Sequence, residues 1–122
     1  MESKNWFPLY ISLIFTRSHK EQYRVNHVTI AGRTLIEKFI RKHANARPPL
    51  IAWLDEAENA EWKTSQEIKD RYRSADFLSG NRVIFNIGGN NYRLIVLVRY
   101  QNGVLLIQKI GTHAEYSRWK LT

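Results

Sequence analysis

The chain has 122 residues, 43% of them hydrophobic and 25% charged, with a formal net charge of +8. That length suits one domain with one core, and the balance is that of a folded soluble protein rather than a disordered one. The absence of cysteine excludes a disulfide framework and thiolate chemistry, and agrees with a cytoplasmic protein.

The charge is unevenly spread. Residues 33–80 hold nine basic and eight acidic groups, whereas residues 81–122 hold six basic groups and one acid, Glu115. A basic excess gathered in the last third attracts phosphate polymers and anionic surfaces.

The chain opens with an apolar run, WFPLYISLIF, from Trp6 to Phe15. It is short of the about 20 residues that a spanning helix needs. The residues before it, MESKN, are not a basic leader, and no small-x-small cleavage site follows. A short strand or docking segment is expected, with no membrane span.

HVTIA, from His27 to Ala31, is β-branched and reads as a first strand. From Arg33 the spacing becomes helical. Leu35, Ile36, Phe39, Ile40 and His43 fall on one face, and Glu37, Lys38, Arg41 and Lys42 mostly on the other. Arg47-Pro48-Pro49 breaks this helix, and Pro49 can open a second one with Leu50, Trp53, Leu54 and Ala57 as its buried stripe. Thr64 stands three residues before Glu67, the spacing of a capping box. It starts a short helix, TSQEIKDRYR, with Ile68 and Tyr72 facing inward.

After Ser79-Gly80 the pattern turns to β. Arg82 to Ile87 alternates, with Val83, Phe85 and Ile87 on one face, and GGNN (Gly88 to Asn91) is turn chemistry. Tyr92 to Tyr100 is apolar on both faces in its middle, as in a central strand covered on both sides. QNG reverses the chain into a further strand, Val104 to Ile110. Hairpin follows hairpin, so an antiparallel meander is expected. The order is strand, two or three helices, three strands, terminal helix: a small α+β domain.

Motifs for cofactor or metal chemistry are missing. The four histidines are scattered, with no HExxH. GxSxG and a P-loop are absent, and Gly88-Gly89 join two strands rather than the strand and helix of a dinucleotide fingerprint. Neither a cofactor nor a metal is expected.

Basic and aromatic groups of the late strands remain. Arg82 alternates away from Val83, Phe85 and Ile87. Arg93 and Arg99 share a face but lie about 20 Å apart by strand rise, too far to serve one small site. Arg93, Lys109 and the start of the last helix converge if the meander folds as expected. Thr112 and Glu115 have capping-box spacing, which explains both residues structurally. His113 and Tyr116 then share a face one turn apart, and Lys120 follows four residues on. An imidazole there can serve as acid or base near neutral pH. Packing for Tyr116 and a solvated turn for His113 are the plain alternatives.

RVIFNIGGNNYRLIVLVRYQNGVLLIQKIGTHAEYSRW, from Arg82 to Trp119, resembles the HigB family of RelE-like toxins. The resemblance extends back through AEWKTSQEIKDRYRSADFL, the Trp53 helix and RTLIEKFIRKH to HVTIA, covering about residues 26–119. It implies a RelE-like α+β fold and metal-independent cleavage of messenger RNA, usually on the translating ribosome, by attack of the ribose 2′-OH on the adjacent phosphorus. It also implies a partner, a small helix-turn-helix antitoxin of the HigA kind. Carried onto this chain, the resemblance gives Arg93 the transition-state phosphate and His113 the general acid or base. Tyr116 is left as either a base-stacking group or a participant in proton transfer. Arg82 is implied to hold the RNA backbone, with Lys120, Lys63 and Arg73 as further backbone contacts.

The chain departs from this pattern twice. Relatives often carry lysines in the hairpin before YRL, where this chain has GGNN. Residues 1–24 also lie outside the pattern, so residues 25–122 are expected to be the toxin domain. The first 24 are then an extension, or a stretch upstream of a native start at Val25. The lysine-free hairpin keeps a second reading open, a non-catalytic RNA- or ribosome-binding module of the same fold. A third, surface attachment to a membrane through Trp6–Phe15, has too little charge patterning behind it.

Overall fold

The computed structural model describes residues 28–121. The apolar run Trp6–Phe15 and the proposed domain boundary at Val25 lie outside them. The described chain follows the expected order. It runs β1 (Thr29–Ala31), α1 (Arg33–Lys42), a 3-10 turn (Ala44–Ala46), α2 (Arg47–Ala60) and α3 (Ser65–Arg71). The β half comes next as β2 (Asp76–Leu78), β3 (Arg82–Ile87), β4 (Tyr92–Arg99) and β5 (Val104–Thr112), and α4 (His113–Tyr116) closes it.

The strands form one sheet in the order β1-β5-β4-β3-β2. β2 to β5 are an antiparallel meander, and β1 joins parallel to β5. The α+β reading therefore holds, with one strand more than the sequence showed. β2 has only three residues, Asp76, Phe77 and Leu78, too few for alternation to be visible.

Helix boundaries moved for local reasons. α2 begins at Arg47, before both prolines, because the first-turn N–H groups have no partner inside a helix and proline loses nothing there. The break falls instead in the 3-10 turn. α3 starts after its cap Thr64, whose hydroxyl accepts from Glu67 N at 3.2 Å. It ends at Arg71, short of the expected Arg73, with Tyr72 as C-cap. α1 is preceded by Gly32, which is left-handed (φ 88°). A Cβ there would lie 2.7 Å from the Ile107 carbonyl oxygen, so only glycine lets the chain turn so close to β5.

The core lies between the helices and one face of the sheet. Val83, Phe85 and Ile87 of β3, Leu94, Val96 and Val98 of β4, and Leu105 and Ile107 of β5 meet Ile36, Phe39, Leu50, Trp53, Leu54 and Ala57. Phe85 is its centre, with the rings of Trp53 at 5.2 Å, Tyr72 at 5.1 Å and Trp62 at 6.0 Å. Ile84 and Ile95 lie on the other face and are also buried, as the doubly apolar β4 pattern led one to expect. The acidic groups of α2 tie its neighbours down, Glu58 to Arg33 and Glu56 to Arg71.

β5 is irregular at one point. Ile95 pairs with Lys109, but the next residue, Val96, pairs with Ile107, so Gln108 is an extra residue in β5. A bulge of one residue reverses which face the later side chains occupy. Leu105 and Ile107 point into the core before it. After it, Ile110 packs against the core, while Lys109 and Gly111 lie across from Ile95 and Arg93.

Phe85→Ala should cost about 3–5 kcal/mol of stability, because three rings would be left around the void. Urea denaturation of the two proteins measures this; a loss under about 1 kcal/mol, well below that range, would mean that the aromatic cluster is not the centre of the core.

Candidate functional site

The outer face of β4 carries Arg93, whose cross-strand partners are Asn86 and Gly111. Its side chain is buried, at 6% exposure, and it is the one charged residue among the buried polar groups described. The GGNN hairpin explains how a cation is accommodated there. Nη1 donates to the carbonyls of Asn90 and Tyr92, both at 3.1 Å, and Nη2 donates to Asn90 Oδ1 at 2.5 Å. Asn90 of the turn and Tyr92 at the start of β4 supply neutral oxygens in fixed directions, which suit the planar fork of a guanidinium.

The other side of that guanidinium meets a ring. Its central carbon lies 5.0 Å from the centroid of Tyr116. Tyr116 in turn meets Trp119 edge-on at 5.7 Å, and Lys109 Nζ sits 4.8 Å from the Trp119 ring. The sequence of contacts is cation, ring, ring, cation. Each cation–ring contact is worth about 0.5–2 kcal/mol, more where water is excluded. Among the described residues no carboxylate pairs with Arg93 or Lys109.

α4 is one turn long and buries no residue, so it must be held from outside. The expected capping box is present: Thr112 N donates to Glu115 Oε1 at 2.8 Å, and Glu115 N donates to Thr112 Oγ1 at 3.1 Å. His113 N donates to the Asn91 carbonyl at 2.9 Å, fastening the turn to the same hairpin that holds Arg93. The His113 imidazole is exposed and lies 6.5 Å from the Tyr116 ring, centroid to centroid. Gly111 completes the arrangement. A Cβ on it would stand 2.6 Å from Trp119 Cζ2 and 2.9 Å from Glu115 Oε1, so the indole lies flush against its backbone.

Arg93, His113 and Tyr116 are therefore together, and Lys120 comes directly after Trp119 at an exposed position. The remaining sequence candidates lie elsewhere. Arg82 is on Arg93's face but pairs with Leu97, roughly 13 Å along the sheet, and its Nε donates to the Ser79 carbonyl at 3.0 Å. Lys63 lines a polar cavity of about 320 Å³ with Tyr100 and Asn102. That cavity is past the far end of β4, roughly 23 Å from Arg93 by strand rise. Burial pushes the Tyr100 phenol in it above its ordinary range. Arg73 is exposed in the turn between α3 and β2. Those positions do not form one small site with Arg93.

Two contributors escape a reading of the sequence for site residues. Trp119 stands three residues after Tyr116, the same one-turn spacing that links His113 to Tyr116. Asn90 carries no signal beyond its place in a turn. Lys109 is expected to converge on Arg93, and it does so through Trp119. Among the described residues no three histidine or acidic groups lie together to hold a metal ion, and no helix is long and apolar enough to cross a membrane.

Gly111→Ala should cost about 1–3 kcal/mol, since the added methyl overpacks against the indole. In a Trp119→Ala background the same change should cost less, the contact with Glu115 Oε1 remaining. A coupling of at least about 1 kcal/mol in that double-mutant cycle, read by urea denaturation, is the expected result; additive losses would show that Trp119 is not seated on Gly111 in solution.

Comparison with known proteins gives the geometry a family. A family model described as HigB_toxin, RelE-like toxic component of a toxin-antitoxin system, matches residues 46–119. A protein of Escherichia coli O6:H1 named mRNA interferase HigB is 25% identical over 91 residues, which are 73% of this chain and 88% of that protein. The family match spans more than half of the chain and includes Arg93, the GGNN hairpin and all of α4, so this chain belongs to the HigB family of RelE-like toxins.

Proposed function

We propose that this toxin is a metal-independent endoribonuclease that cuts messenger RNA, on the translating ribosome in the cytoplasm, at the site formed by Arg93, His113 and Tyr116. The observation that carries this reading is a buried arginine held by neutral carbonyls and the face of Tyr116, with no carboxylate among the described residues to neutralise it. Such a group is poised for an anion. A phosphate oxygen displaces the Asn90 carboxamide because a charged acceptor binds a guanidinium more strongly than a neutral one.

The reaction needs little else. The ribose 2′-OH attacks the adjacent phosphorus as a base takes its proton. The bond from phosphorus to the 5′-oxygen breaks, and an acid returns a proton to that oxygen. The products are a 2′,3′-cyclic phosphate and a 5′-OH. Arg93 neutralises the charge that builds on the non-bridging oxygens of the five-coordinate phosphorus. His113, exposed at the entrance to α4, serves as general acid or base. Tyr116 has one face toward Arg93, and it stacks on a base or takes part in the proton transfer. DNA lacks the attacking hydroxyl and is not a substrate. Arg82, Lys120, Lys63 and Arg73 are left as contacts for a longer stretch of RNA backbone, where ribosomal RNA also supplies phosphates. The toxin is silenced by a cognate antitoxin, a small helix-turn-helix protein of the HigA kind.

The near-complete burial of Arg93 and the lysine-free hairpin favour one other reading, a module that binds RNA or the ribosome without cutting. Brief induction of the wild-type protein, with mapping of 5′-OH ends on cellular transcripts, separates the two. New ends are expected with wild type. They should fall about 100-fold or more with His113→Gln, the usual cost of losing a general acid or base, and Arg93→Ala should relieve growth arrest. Tyr116→Phe keeps the ring and removes the hydroxyl, so retained cutting assigns stacking and lost cutting assigns proton transfer. Growth arrest with intact ribosome-bound messages would leave only the binding module.

A further inference from the structure

The run of rings beside Arg93 ends in a second cation, Lys109, to which the reaction gives no task. Lys109 lies on the outer face of β5, across from Ile95. Its side chain is exposed, and Trp119 beside it is half-buried. The ammonium sits 4.8 Å from the centroid of the Trp119 ring and forms no ion pair or hydrogen bond among the described residues. The one acid of residues 81–122, Glu115, is engaged in the cap of α4. Lys109 is therefore held by the ring alone, and at an exposed site a ring is a modest partner for a cation.

The sheet sets where this cation stands. Ile95 is two residues beyond Arg93 on the same strand, so Lys109 lies one strand over and about 7 Å further along. With strands about 5 Å apart, the backbones of the two cations are separated by roughly 8 Å. That suits one nucleotide step of a single strand laid across the face, within reach of two long side chains. Arg82, level with Leu97, is a further two residues along β4. Lys109 thus falls between the levels of Arg93 and Arg82, where a strand running from one to the other needs its next charge.

We propose that Lys109 and Trp119 form a second subsite, which holds the nucleotide next to the one whose phosphate Arg93 takes. Lys109 binds its phosphate, and Trp119 stacks on its base. The proposal rests on the reading of Arg93 as a phosphate site. Until RNA arrives, Lys109 covers the ring. A phosphate is a stronger partner for an ammonium than a ring is. A base is a stronger partner for an indole than an exposed cation is. The ammonium leaves the ring for the phosphate, and the base takes the face that it vacates. Every base has such a face, so the subsite adds affinity without reading sequence. It positions the strand and takes no part in proton transfer.

Short single-stranded DNA of mixed sequence is the probe, because it offers phosphates and bases but lacks the attacking hydroxyl and is not cut. It is titrated against the full chain at several salt concentrations and followed by fluorescence anisotropy. Lys109→Met should lower the dependence of log Kd on log salt by about 0.7, the value of one contact to a single strand. Lys109→Arg should restore it. Trp119→Leu should weaken binding about fivefold or more, the lower end of what a stacked base contributes. The double variant separates exchange from structural support. With exchange, each single variant also spares the cost of parting ammonium from ring, so the double variant loses more than the product of the single losses. If the pair only props up α4, either single change does the full damage and the double one adds nothing, which overturns the proposal. So does a wild-type salt slope in Lys109→Met, where only an exposed side chain is altered. Arg41→Met removes one exposed charge from α1, on the helical side of the sheet, and should keep the wild-type slope, since distant charges are screened. An equal fall there would make the effect one of net charge and overturn the proposal as well. Arg93→Ala tests the reading beneath it. If that variant binds the probe as wild type does, the phosphate site falls and this subsite with it. Intact probe binding without new 5′-OH ends on transcripts brings down the cutting alone.

Discussion

The side of the sheet on which the candidate site forms is decided by a single extra residue. Up to Ile107, β5 alternates in step with the core. Had the alternation continued, Lys109 and Gly111 would point at the helices, where an ammonium group has no partner and would be costly to bury. Gln108 absorbs the mismatch as a bulge, and the strand resumes with Ile110 inward. The same shift brings Gly111 across from Arg93 and turns Lys109 toward Trp119. The last helix then leaves β5 on the arginine's side. Bulges beside active sites commonly re-aim side chains in this way.

The electrostatics of the cluster depend on what surrounds Arg93. Burying a cation without a counter-charge is expensive unless dipoles and ring faces replace the lost water. Here the replacements are the Asn90 and Tyr92 oxygens and the Tyr116 face. They stabilise the guanidinium without neutralising it, so a net positive charge persists under a shallow cover. A carboxylate partner would have been a cheaper structural solution and a poorer functional one, since it would compete with phosphate. The basic excess of residues 81–122 is consistent with this, its one acid, Glu115, being spent on the helix cap.

The sequence is most legible where alternation and capping act over short range. β3, β4 and the start of β5 are visible from period-two patterns, and the spacing of Thr112 and Glu115 alone marks the last helical turn. Convergence of Arg93 with His113 and Tyr116 follows from the meander. The hidden features depend on partners distant in sequence. β2 is three residues long and exists because Val83 and its neighbours offer an edge. The early start of α2 needs the 3-10 turn to redirect the chain. The bulge is visible in retrospect, as inward residues Leu105, Ile107 and Ile110 whose final spacing is three instead of two. Lys63 is an RNA-backbone contact only by the family resemblance, and the sheet places it past the opposite end of β4 from Arg93; spacing along the chain says nothing about which end of a strand a loop reaches.

α4 and Arg93 are not independent parts. A one-turn helix with no buried residue has no stability of its own. Its position comes from the cap, the His113 to Asn91 bond, and the seating of Tyr116 and Trp119. Arg93 in turn owes one side of its shell to Tyr116 and the other to the hairpin that Asn91 ties to α4. Each group therefore sets the geometry of the others, and effects of substituting them will not add. A loss at Tyr116 includes whatever Arg93 loses when the ring above it goes. By contrast, Phe85, Trp53 and their neighbours, which carry the fold, pack on the opposite face of the shared strands. The molecule keeps most of its described apolar core on one face of the sheet and its coupled charges on the other. Chemistry at α4 can thus be altered at little cost to the core, although no single residue of that chemistry can be altered alone.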